Sequence, residues 1–180
     1  MPPATGSTSA IDTIRLRPLR ASDERAIRTA HQAMADQDDF GFALGLTSTM
    51  TWPQYLSALD DYRRGVNLPQ GIVASTFLAA TFDDQVVGRT AIRHTLNAAL
   101  RRRGGHVGYA VLAQHRRRGY GTAILVHSIT IARALGIERI LVTCDDTNAG
   151  SQRIVESCGG VLESVEPWTD GTLFRRYWID

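Results

Sequence analysis

The chain has 180 residues, 43% of them hydrophobic, and a formal net charge of +2, which describes one folded domain with its own core and excludes a polycation built to coat nucleic acid. All 20 basic residues are arginine, which excludes a lysine Schiff base and the lysine of a P-loop. The two cysteines, Cys144 and Cys158, form no Cys-x-x-Cys pair and cannot build a zinc site alone, so no metal is expected, and no apolar run is long enough to span a bilayer.

Residues 1–11, rich in Pro, Gly, Ser and Thr, read as a disordered lead. They lack the basic start and apolar centre of a secretory signal, so a cytoplasmic location is expected. Residues 12–180 read as a single domain. Ile14-Arg-Leu-Arg17 alternates as a strand does, and Pro18 stops it. Ser22-Asp-Glu-Arg25 starts a helix that continues through Ala26, Ile27, Ala30 and Met34. Asp36 to Thr51 has no clear period; its acids Asp36, Asp38 and Asp39 are either a hydrophilic loop or a rim for a cationic ligand. A second helix is predicted over Trp52 to Arg64, with Tyr55, Leu56 and Leu59 on one face.

Ala74 to Phe82 and Gln85 to His94 read as two strands joined at Asp83-Asp84, a hairpin. Leu96 to Gly105 reads as a loop whose Arg101-Arg-Arg103 is a solvated turn. His106 to Leu112 is a third strand in this series. After Gly119 the apolar residues Ile124, Leu125, Ile129, Ala132 and Leu135 recur at helical spacing, and Gly136 ends the helix. Ile137 to Thr143 is nearly all apolar, as in a strand buried on both faces. Asp145-Asp-Thr-Asn148 supplies caps for a helix carrying Ile154, Val155 and Cys158, and Gly159-Gly160 stops it. Val161 to Val165 and Thr172 to Ile179 close the chain as strands. The order predicts a three-layer α/β (α+β) domain: a mixed, mostly antiparallel sheet of about seven strands, helices on both faces, and one parallel β-α-β crossover in the middle.

One stretch in this order carries chemistry. Gln114-His-Arg-Arg-Arg-Gly-Tyr-Gly-Thr-Ala123 lies between a strand and a helix. A tight loop there points backbone N–H groups at one spot, at the positive end of a helix, which makes an anion site. Gly119 and Gly121 let an anion approach the main chain. The stretch is neither a P-loop nor a dinucleotide fingerprint, since it lacks Gly-Lys-Ser/Thr and a third glycine.

Arg116-Arg-Arg-Gly-Tyr-Gly121 is similar to the Arg/Gln-x-x-Gly-x-Gly/Ala signature of the GNAT family of N-acetyltransferases. Gly108-Tyr-Ala-Val-Leu112 before it and Asn148-Ala-Gly-Ser151 after it resemble that family's fourth strand and the helix start after its fifth. The resemblance runs from about Phe77 to Gly160, and Arg93-His-Thr-Leu-Asn97 and Arg176-Tyr-Trp-Ile179 resemble one subgroup of predicted acetyltransferases. It implies acetyl-CoA as cosubstrate. Arg116 opens the signature, and the amides of Arg117, Arg118, Gly119, Tyr120, Gly121 and Thr122 hold the pyrophosphate. Main-chain groups at Val111 and Leu112 lie along pantetheine, and Asn148 and Ser151 touch its arm. The implied reaction is direct attack of a deprotonated primary amine on the thioester, with a backbone N–H stabilising the oxyanion. The implied acceptor is a small-molecule or peptide amine, with no nucleic acid or membrane partner. Relatives that pair through their C-terminal strands imply a homodimer.

Two positions depart from the family pattern. Val155 stands where the family often has the Tyr that protonates the departing thiolate, and His106 stands where many relatives have a Glu base. An imidazole has a suitable pKa for that work, so His106 is the expected base and His94, at the end of the neighbouring strand, a second candidate. Tyr109, Cys144 and Cys158 read as packing residues, and His115 as exposed. The missing Tyr also leaves open a catalytically degenerate acyl-CoA sensor.

Overall fold

Strand β1 (Arg15–Arg17) leads into a turn set by charge. Arg17 donates to Asp23 through two hydrogen bonds of 2.6 and 2.9 Å, and the same carboxylate accepts the Arg20 N–H at 2.7 Å. Asp23 closes a single 3-10 turn, and α1 (Glu24–Asp38) follows. The computed structural model describes residues 13–38 and 41–180, with the backbone alone at 37 and 38. The lead expected over 1–11, the side chain of Asp38 and all of Asp39 lie outside the described residues. Asp36 is exposed and accepts a hydrogen bond from Gln32.

Helix α2 (Trp52–Arg64) has the predicted boundaries, for a local reason. Thr51 and Gln54 cap each other's N–H groups, Pro53 occupies the first turn, and Gly65 closes the helix at φ 70°. Strands β2 (Ser75–Phe82) and β3 (Gln85–Arg93) pair as expected. Asp83 and Asp84 both take positive φ, 46° and 60°, which gives the two-residue turn whose twist matches a hairpin.

The loop expected before β4 (Val107–Val111) contains a helix, α3 (Ala98–Arg102). Asn97 Oδ1 caps it by accepting the Leu100 N–H at 2.9 Å. Arg176, far along the chain, donates to the carbonyls of Arg101 and Arg102 at its other end. Of the arginine triplet, Arg101 and Arg102 are exposed as expected, and Arg103 is half-buried. Arg103 pairs with Asp145 at 2.6 Å and lies over Trp168 and Phe174, and Arg102 also lies over Trp168. Arg102 and Arg103 thus tie the end of α3 to Asp145, Trp168 and Phe174. The chain then runs through α4 (Tyr120–Ala134), β5 (Ile140–Asp145), α5 (Ala149–Ser157), β6 (Val161–Pro167) and β7 (Leu173–Ile179).

The expectation of one continuous sheet is corrected. Two antiparallel sheets form, in the orders β1-β2-β3-β4 and β5-β7-β6, and among the described residues no parallel ladder joins β4 to β5. The two strands touch at one end. Gly105 bridges Val142, the His106 N–H donates to the Leu141 carbonyl at 2.7 Å, and the Leu141 N–H donates to His106 Nδ1 at 2.9 Å. A side chain takes the rung that a backbone carbonyl would hold. Gly105 permits the approach: its φ is 63°, and a Cβ would stand 2.3 Å from the Leu141 carbonyl oxygen.

The three layers are as predicted. Helices α1 and α2 cover one face, packing Ile27, Ala30, Tyr55 and Leu59 on Phe77, Ala91 and Ala110. Helices α4 and α5 cover the other, packing Leu125, Ile129 and Val155 on Ile92, Val107 and Val142. Adjacent residues Ala91 and Ile92 serve opposite layers, as the two-residue period of a strand requires. Full burial of each large aliphatic contributes about 1.5–3 kcal/mol, and Ile92, Leu125 and Ile140 are fully buried.

Candidate active site

A cavity of about 760 Å³ lies between the C-terminal ends of β4 and β5, walled by Tyr109, Ala110 and Val111 on one side and Asp145, Thr147 and Asn148 on the other. The start of α4 forms its floor. Arg117 and Gly119 both take left-handed backbone, at φ 65° and 79°, and turn the loop sharply into the helix. No side chain caps α4, and Tyr120, Gly121 and Thr122 of its first turn line the cavity. A helix start without a side-chain cap presents N–H donors and the positive end of the helix dipole to whatever fills that space. A Cβ at Gly121 would stand 2.7 Å from Ile154 Cδ1, so the glycine lets α5 close against α4.

Helix α5 supplies the opposite wall. Asn148 is its N-cap, and Asn148 Oδ1 accepts the Ser151 N–H at 3.0 Å. That leaves the Asn148 amide NH2 as a donor. Ser151 Oγ lies 2.9 Å from Tyr109 Oη, and both residues line the cavity. Burial holds the Tyr109 hydroxyl well above its ordinary pKa, so it remains protonated. Burial likewise raises the Cys144 thiol, against a hydrogen bond from Ser151.

The residues expected to hold the cosubstrate mostly converge. Val111, Arg116, Arg117, Gly119, Tyr120, Gly121, Thr122, Asn148 and Ser151 line one cavity. Arg116 Nε donates to the Val111 carbonyl at 3.2 Å, tying the loop to β4. Leu112 and Arg118 are not among the lining residues. Leu112 is buried under α1 and α2, and its N–H donates to the Val87 carbonyl at 3.0 Å. Arg118 is exposed.

Neither histidine expected as base lines the cavity. His106 Nδ1 accepts the Leu141 N–H, so in this arrangement the neutral ring carries its proton on Nε2 and is a donor. Burial, then Arg101 and Arg93, push its pKa below the ordinary value. His94 Nε2 shares a hydrogen bond of 2.9 Å with Thr76 Oγ1, and burial and Arg63 push its pKa down. Val155 is fully buried among the core residues between α5 and the sheet, away from the cavity lining.

Nine of the lining residues lie outside the expected set, among them His115, Arg153, Ile154 and Met34. His115 lines the cavity with its Nδ1 buried and without a hydrogen-bond partner among the described residues. Arg153 and Ile154 follow Ser151 on α5, and the helical spacing of Ile154 from Ser151 is a signal that places them together. Met34 arrives from α1 with no local signal.

A three-layer α/β domain, opened between two strands at an uncapped, glycine-rich helix start, presents a site suited to an anionic ligand. Sequence comparison supplies the family. The acetyltransferase (GNAT) domain matches residues 13–161; the chain belongs to that family and is an acetyltransferase. No curated protein matches the chain, but solved structures share its fold over nearly its whole length. Mycobacterium smegmatis RimJ in complex with CoA-disulfide is 22% identical, with 92% of this chain and 81% of that one covered and a TM-score of 0.67. RimL, a ribosomal L7/L12 alpha-N-protein acetyltransferase in complex with coenzyme A, is 13% identical, with 93% of each chain covered and a TM-score of 0.67. The microcin C7 self-immunity acetyltransferase MccE, in complex with acetyl-CoA and AMP, is 15% identical, with 93% and 92% covered and a TM-score of 0.62.

Proposed function

We propose that the protein transfers an acetyl group from acetyl-CoA directly to a primary amine. The observation that carries this reading is the uncapped N-terminus of α4 facing the cavity between β4 and β5. Acetyl-CoA fits that site by charge and shape: its pyrophosphate matches the N–H donors of Tyr120, Gly121 and Thr122, and its extended arm matches the groove between β4 and α5. When bound, acetyl-CoA supplies an activated acetyl thioester. Arg116 and Arg117 add positive charge at the loop, and Asn148 offers its NH2 to the arm.

Tyr109 and Ser151 answer the absence of a hydroxyl at Val155. Their oxygens hold a shared proton at the cavity wall, where it can serve a departing thiolate. His106 supports the site by fixing β4 to β5 through Nδ1, and the hydrogen bond it accepts does not suit a proton-accepting role. The buried Val155 favours a second reading, an acyl-CoA sensor that binds without transferring. Thiol release from acetyl-CoA over a panel of primary amines separates the two. Turnover with any amine supports the transferase; tight acetyl-CoA binding with no turnover across the panel supports the sensor and overturns the transferase.

A further inference from the structure

We infer that Arg153 binds the phosphate on the ribose of the cosubstrate, and so makes the site select coenzyme A thioesters over their dephospho forms, which lack that phosphate. This rests on the reading of the cavity as the acetyl-CoA site. Arg153 lies on α5, is exposed, and lines the cavity. The next residue, Ile154, meets the first turn of α4: its Cδ1 stands 2.7 Å from the place of a Cβ on Gly121. Arg153 therefore stands beside the N–H donors that suit the pyrophosphate. In coenzyme A the further phosphate hangs from the ribose attached to that pyrophosphate, so the two phosphate groups lie within one sugar of each other.

The helix gives this side chain a clear path. A long side chain on a helix leans toward the N-terminus, over the residues three and four before it. For Arg153 these are Gly150 and Ala149, both small. Gly150 itself lines the cavity, and a Cβ there would meet nothing nearer than Asn148 Oδ1 at 3.5 Å. No bulky side chain of α5 therefore stands between the guanidinium and the cavity.

Charge points the same way. Arg116, Arg117 and Arg153 line the cavity against one carboxylate, Asp145, which Arg103 already pairs at 2.6 Å. Arg116 is partly committed, since its Nε donates to the Val111 carbonyl at 3.2 Å. Arg153 forms no ion pair among the described residues. Glu156, one turn ahead on the same helix, accepts the Tyr177 hydroxyl at 3.0 Å instead. A pyrophosphate is served by the start of α4 and by the arginines of the loop, which leaves the Arg153 guanidinium for a further anion. A phosphate monoester carries a charge of about −1.5 to −2 at pH 7, and a guanidinium fork binds it through two parallel hydrogen bonds.

The test is calorimetric titration of the full chain with acetyl-CoA and with dephospho-acetyl-CoA. The parent is expected to bind acetyl-CoA at least about fivefold more tightly than the dephospho ligand. Arg153→Gln is expected to bring the two affinities within about twofold of each other, by weakening acetyl-CoA alone. Its unchanged affinity for the dephospho ligand would show at the same time that the variant is folded. Equal affinities in the parent would overturn the subsite whatever the variant does. A preference that survives Arg153→Gln would overturn it too. Equal weakening of both ligands by the substitution would assign Arg153 to the pyrophosphate and likewise overturn the subsite. In each of these cases the reading of the cavity stands, because acetyl-CoA still binds the parent. Failure of the parent to bind acetyl-CoA at all would overturn that reading and the subsite with it.

Discussion

Tyr109→Phe removes one oxygen and separates a structural tyrosine from a catalytic one. The hydroxyl lies 2.9 Å from Ser151 Oγ in the wall of the cavity, and a lost hydrogen bond of this kind costs about 0.5–1.5 kcal/mol of stability. The ring keeps its packing against α4 and α5, so thermal unfolding is expected to shift by only a few degrees. A proton donor to the leaving group contributes about 10²–10⁴-fold in rate. No hydroxyl can be offered from position 155, where the Val155 side chain is fully buried. The expected result in a thiol-release assay is therefore a fall in kcat of at least about 100-fold, with acetyl-CoA affinity nearly unchanged. Ser151→Ala should cost a similar factor, and the double variant little more, because the two oxygens act on one proton. A kcat for Tyr109→Phe within about twofold of the parent would refute the shared-proton assignment.

Three further outcomes follow from named contacts. Asn148→Ala removes the cap of α5 and the donor facing the cavity, so stability should fall by about 1 kcal/mol in urea unfolding and acetyl-CoA affinity should fall with it. Asp23→Asn breaks the paired contacts to Arg17 and Arg20 and should destabilise the fold by about 2–4 kcal/mol. The Arg17 hydrogen bond lowers the Asp23 pKa, so its contribution is present above the unfolded value of 3.8 and is lost as pH falls through the lower folded value. His106 has a folded pKa pushed below 6.5 by burial, Arg101 and Arg93. Its contribution is therefore complete above that unfolded value and declines as pH falls through the folded one. Unfolding curves from pH 7 to 5 should show this decline in the parent and a shallower one in His106→Gln.

Where the sequence was legible, the deciding interactions were local. Thr51, Gln54 and Gly65 mark the ends of α2 within the helix's own neighbourhood, and Asp83-Asp84 marks the β2–β3 turn by backbone preference alone. The loop before α4 was legible because its glycines and its strand–helix setting lie within ten residues. What was missed depends on distant partners. Helix α3 is five residues long and is held at its far end by Arg176. The parallel pairing expected of β4 and β5 is not seen among the described residues; where they meet, His106 Nδ1 accepts the Leu141 N–H, a contact that the residue type does not announce. Arg89 and Arg93 read as ordinary strand residues, but one is buried and both lean over a glycine on the neighbouring strand. His115 reads as exposed beside three arginines, but the turn at Ala113–His115 folds it into the cavity wall.

Calorimetric titration of the full chain with acetyl-CoA tests the central claim most directly. The account predicts saturable binding of one acetyl-CoA per chain, competition by coenzyme A, and thermal stabilisation of about 2.7 kcal/mol when the ligand stands at about 100 times Kd. Absence of both heat and stabilisation at millimolar acetyl-CoA would contradict it.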